Sequence, residues 1–109
     1  MSSAHERIGH NEAVFRDLNE RIEAGQWPGE EGSPAVFLCE CARLGCNMLV
    51  ELTLREYEQI RADARHFVLA PGHELPEAES VVERNADYVV VEKQGAAARV
   101  AEETDPRKE

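Results

Sequence analysis

Phe37-Leu38-Cys39-Glu40-Cys41-Ala42-Arg43-Leu44-Gly45-Cys46 is the stretch on which the reading of this chain turns, and it holds all three of its cysteines. On an extended backbone, side chains two residues apart share a face, so Cys39 and Cys41 aim their sulfurs at one point. Gly45 eases the tight return that brings Cys46 to the same place. An odd number of clustered thiols makes no complete disulfide framework; it fits a reducing compartment and a metal ion.

Zinc (Zn2+) is the first choice for three thiolates, and its structural sites take four protein ligands, so a fourth donor is needed. The chain has four histidines from which to draw it. His73 follows Pro71-Gly72 at the end of an expected strand, where a turn swings the imidazole back toward the cysteines, and His66 is the alternative. His5 and His10 lie away from the apolar face of an amphipathic segment and read as surface residues. The expected ligand set is therefore Cys39, Cys41, Cys46 and His73. The Cys-x-Cys-x(four)-Cys spacing lacks the paired Cys-x-x-Cys of common zinc modules, and its competing readings are buried free thiols or a redox pair of Cys39 and Cys41.

The segments on either side, 35–39 and 48–53, are short and rich in Val, Leu and Phe, which suits two antiparallel strands joined by the metal-bearing turn. Upstream, residues 3–25 read as an amphipathic helix with a capping box at Ser3 and Glu6, a stop at Gly25, and Ile8, Phe15, Leu18 and Ile22 on one face. Pro28, Gly29, Gly32 and Pro34 make 26–34 a loop, with Trp27 expected as a lid over the core edge. Downstream, Thr53 and Glu56 repeat the capping-box pattern ahead of Leu54, Tyr57 and Ile60, so a second helix should run to about Ala62. Strands follow at 66–70, 80–84 and 88–92, and the alanine-rich 95–103 closes as a helix. The predicted class is α+β: a single domain over 1–109, with the helix at 3–25, a zinc-binding core at 35–103 built on one small antiparallel sheet of four or five strands, and a flexible tail at 104–109.

Composition narrows the function. Twelve basic residues against 22 acidic ones leave a formal charge of -10, which disfavours any partner held through its phosphates, nucleic acid above all. Arg61, Arg65 and His66 form a local basic cluster that reads as a solvated helix end. No apolar run approaches membrane-helix length and the opening residues do not resemble a signal peptide, so a cytoplasmic protein is expected. The expected partner is another protein, or a second copy through the N-terminal helix, where Ile8, Phe15 and Ile22 share one heptad position, Leu18 takes its partner position and Asn11 interrupts it.

Phe37 to Cys41, Glu56-Tyr57, Pro71-Gly72-His73-Glu74, Tyr88 to Lys93 and Asp105-Pro106-Arg107 together resemble the segments of a family of small bacterial proteins with no established activity. The resemblance implies a role for His73 as a ligand and carries no reaction with it. No phosphate loop, dinucleotide fingerprint, nucleophile elbow or deaminase pattern is present. The leading expectation is a structural zinc site in a protein-interaction or regulatory module. The alternatives are a zinc enzyme with three cysteine ligands and an open water position, using Glu40 or Glu74 as base, and a thiol and zinc redox sensor.

Overall fold

The computed structural model describes residues 4–25, 32, 34–41, 46, 48–76 and 79–107, with the backbone alone for 4–12. Helix α1 (Ala4–Gly25) is followed by strands β1 (Pro34–Leu38) and β2 (Leu49–Thr53), helix α2 (Leu54–Arg61), strands β3 (His66–Leu69), β4 (Glu79–Arg84) and β5 (Val89–Lys93), and helix α3 (Gly95–Glu103). This is the α+β arrangement expected. The capping box at Ser3 and Glu6, the Trp27 loop, Gly45, and the side chains of His5, Ile8, His10 and Asn11 fall outside the described residues. No helix among the described residues is long and apolar enough to cross a membrane.

Local chemistry accounts for most element boundaries. Thr53 Oγ1 accepts from the Glu56 N–H at 3.1 Å while Glu56 Oε1 accepts from the Thr53 N–H at 2.8 Å, the reciprocal cap that starts α2. In β1 and β2, alternate residues turn inward: Ala35, Phe37, Val50 and Leu52 are buried, whereas Val36, Leu49 and Glu51 face out. Phe37 stacks on Tyr57 of α2, with centroids 4.5 Å apart and planes 8° apart, a contact worth about 1 kcal/mol beyond the area it buries.

The strands do not form one sheet. β1 and β2 make an antiparallel pair, and β3, β5 and β4 make a separate antiparallel sheet in that order. The break lies at the cysteine segment. After Leu38 the chain leaves its ladder with β2 and meets the outer edge of β3, where the Glu40 N–H donates to the Val68 carbonyl at 2.8 Å. The return bond comes from the Val68 N–H to the Glu40 side chain, Oε1 at 3.0 Å. A carboxylate therefore stands where a backbone carbonyl would have continued the ladder, and the sheets are stitched rather than fused.

Helix α1 also departs from expectation. Among its described side chains Arg16 and Asn19 are fully buried, whereas Leu18 is 37% exposed, Phe15 is half-buried, and Ile22 is half-buried against the core. The cause lies in what the helix meets. α1 packs on α3, whose inward residues Ala97 and Ala101 are small enough to leave room for a long polar side chain. Arg16 uses that room to donate to the Ala64 carbonyl at 2.5 Å and the Ala101 carbonyl at 2.6 Å, with its guanidinium 4.4 Å from the centre of the Phe67 ring. Lys93 approaches the same ring at 4.9 Å and pairs with the buried Glu79.

Arg61, expected in a solvated helix end, is buried. Its guanidinium donates to Glu20 Oε1 at 2.6 Å and to Asp105 Oδ1, tying α1, α2 and the segment after α3 together. Arg65 and His66 do keep contact with solvent. The stretch read as a tail continues the same clamp, since Arg107 reaches Glu20 at 2.7 Å, Glu23 at 3.0 Å and Glu58 at 2.7 Å.

Candidate metal centre

Cys39 lies one residue beyond β1 and Cys41 two further, and both are buried with their sulfurs on a common side. The Cys39 N–H still donates to the Met48 carbonyl at 3.0 Å, so the hairpin closes at the point where the ligands begin. Cys46 is half-buried and packs against the core. None of the three is in a disulfide.

The fourth group arrives from the turn after β3. Residues 70–73 form a turn closed by the His73 N–H donating to the Ala70 carbonyl at 3.1 Å, with Pro71 and Gly72 at its centre. Gly72 has φ 88°, a left-handed conformation that a side chain would strain, and proline followed by such a glycine is the signature of a type II turn. The turn sets His73 Nδ1 3.5 Å from Cys39 Sγ and 3.6 Å from Cys46 Sγ. One ligand atom from each of Cys39, Cys41, Cys46 and His73 lies within 4.8 Å of every other. Tetrahedral zinc, with sulfur at about 2.3 Å and nitrogen at about 2.0 Å, holds its ligand atoms roughly 3.5–3.8 Å apart, so the donor set fits one such ion.

Ala70 supports both ends of this arrangement. Its carbonyl fixes the histidine turn, and its N–H donates to Cys39 Sγ at 3.1 Å. An amide aimed at sulfur orients a ligand and favours the thiolate. Burial acts the other way and pushes the Cys39 thiol well above its ordinary range, against the pull of the Ala70 N–H, while Cys41 beside it pushes it further. A dication placed among these sulfurs reverses that balance by lowering the pKa of every thiol it touches.

His66, the alternative fourth ligand, belongs elsewhere. It lies with Asp63 and Glu92 in a second convergent group. The two glutamates considered as bases are also committed to other work. Glu40 is fully buried, with Oε2 accepting from Asn19 Nδ2 at 2.7 Å and Oε1 from the Val68 N–H. Burial pushes its carboxyl up to about 7, against Asn19, the Val68 N–H and Arg16, which pull it down. Glu74 accepts from Arg84 at 2.8 Å, and its carboxyl is held below the usual range by its own backbone N–H and by Arg84. Neither belongs to the set of converging ligand atoms.

Sequence reading missed the residues that brace the cysteine segment from behind. Asn19 accepts from the Leu38 N–H at 2.7 Å and donates to the Leu38 carbonyl at 2.8 Å, so its amide mimics a further strand beside β1. A polar pair three residues apart, Arg16 and Asn19, reads as a solvent face on any helix whose neighbours are unknown. The one hint was their place between the apolar residues Phe15 and Ile22. Comparison with known protein families, with curated proteins and with solved structures gives no match to this chain.

Proposed function

We propose that the chain is a small zinc-binding protein in which Cys39, Cys41, Cys46 and His73 hold a structural ion, and that it works as a protein-interaction or regulatory module in a reducing compartment such as the cytoplasm. The reading is carried by the convergence of four donors from two distant segments at spacings suited to tetrahedral zinc. Four protein donors close a zinc site, whereas catalytic zinc keeps a position for water. The commitment of Glu40 and Glu74 to other partners supports the structural reading over the enzymatic one.

For a partner surface, the outer face of the hairpin offers Val36 and Leu49, at 48% and 59% exposed, and Met48 is 50% exposed next to Leu49. Val14 and Leu18 add an exposed apolar pair one turn apart on α1. Apolar groups of this size in water mark contact surfaces when they cluster.

Metal analysis of the purified chain tests the reading. Stoichiometric zinc, lost together with several degrees of melting temperature on chelation, is the expected result. A metal-free protein that melts at the same temperature with and without added zinc would overturn it.

A further inference from the structure

We propose that Asp63, His66 and Glu92 form a second divalent-cation site, open to solvent and independent of the cysteine cluster. The β3–β5 register places His66 directly across from Glu92, so both side chains stand on one face of the sheet. Asp63 enters from the turn that precedes β3. Its backbone carbonyl accepts from the His66 N–H at 3.0 Å, and its Oδ1 accepts from the Arg65 N–H at 2.9 Å. Those two bonds fix the carboxylate and leave Oδ2 facing the imidazole, 3.7 Å from Nε2, too far for a hydrogen bond.

Ligand atoms from the three residues lie within 4.8 Å of one another. A cation with bonds of about 2.0–2.2 Å holds adjacent ligand atoms roughly 3–3.5 Å apart, so small rotamer changes close the set around it. The Arg65 side chain directs its Nε to Glu102 at 2.7 Å and acts on Glu92 and Asp63 only through the weaker, longer-range attraction of its charge. One nitrogen and two carboxylate oxygens suit a harder ion than three thiolates do, so the two centres select differently: manganese, iron(II) or zinc here, and zinc at the cysteines.

Three protein donors leave coordination positions to water or to a ligand. His66 also lines a cleft of about 340 Å³, with Ile60, Val82 and Val90 as apolar walls and Glu56 and Glu83 adding charge. A small molecule or peptide end with an oxygen donor and an apolar body fits that combination of exchangeable cation and greasy wall.

Manganese(II) is the probe, because thiolates compete poorly for it. Titration of the zinc-loaded full chain, with free ion read by electron paramagnetic resonance, should show one saturable site. His66→Ala and the near-isosteric Glu92→Gln should each weaken it tenfold or more, with unchanged far-UV circular dichroism and unchanged zinc. Glu51→Gln, a substitution on the exposed face of β2, should leave the affinity as it is. Absence of a saturable site, or equal loss in all three variants, would mean diffuse attraction to an acidic surface and would overturn the proposal. Loss of zinc at the cysteines bears on the other centre alone, since the two share no residue.

Discussion

Two of the polar clusters inside this protein are completed in different ways. Beneath α1, Arg16, Asn19, Glu40 and Arg61 meet their own counterparts: carbonyls of Ala64 and Ala101, both backbone groups of Leu38, the Val68 N–H, and the carboxylates of Glu20 and Asp105. At the cysteine segment, three sulfurs and an imidazole converge, and the amides of Ala70 and Cys41 reach Cys39. The first cluster takes its partners from the polypeptide, with only Arg16 Nε and Arg61 Nη1 of its described atoms left over. The second gathers electron-pair donors in a buried place, an arrangement whose natural complement is a cation. Both lie at seams, the one joining helices to sheet and the other joining the hairpin to the turn after β3.

The comparison can be broken most forcefully at Cys41. Cys41→Ser should strip the metal and lower stability by at least about 3 kcal/mol, which for a chain of this size is a fall of roughly 10 °C or more in melting temperature. An unchanged melt with full metal content would remove Cys41 from the centre. Arg16→Met should cost about 2 kcal/mol in urea titration, because it takes the arginine from the buried Ala101 carbonyl and the half-buried Ala64 carbonyl, yet it should keep metal content at the wild-type level. If it emptied the metal centre as thoroughly as the cysteine variant, the two clusters would be one cooperative unit rather than two seams.

Smaller effects sharpen the boundary of the first cluster. Arg107 pairs with three glutamates but is about one-third exposed, so Arg107→Ala should cost no more than about 1 kcal/mol, and the loss should shrink in high salt. Glu23 and Glu58 lie beside it. Burial and the hydrogen bond to Glu58 push Glu23 up to about 8, while the Arg107 hydrogen bond and then Glu23 pull Glu58 down to about 2. With its pKa raised, Glu23 keeps its proton in the folded chain after the unfolded chain has lost it. Its contribution to stability is thus full in acid and is lost as pH rises from about 4.5 towards 8. Glu23→Gln, which cannot lose that proton, should match the wild type in urea titrations near pH 4 and exceed it at pH 9. A difference that stays constant with pH would place the titration elsewhere.

Much of this was legible in the residues because it depends on neighbours close in the chain. The capping box at Thr53 and Glu56, the alternation in β1 and β2, the Pro71-Gly72 turn and the grouping of the cysteines all follow from spacing over a few positions. The division into two sheets was not legible, since it depends on Glu40 meeting the edge of β3, 28 positions away. Nor was the burial of Arg61, whose partners Glu20 and Asp105 lie 41 and 44 positions distant.

The amino-acid sequence by itself determined which segments are helix and strand and which residues can supply metal ligands, because period, capping and donor chemistry are local properties. Only the tertiary structure decided that His73 rather than His66 stands beside the cysteines, and that Arg16 and Asn19 of α1 turn inward. Both depend on which distant surface each side chain meets. An arginine becomes a core residue only where two alanines leave it room and two carbonyls await its protons.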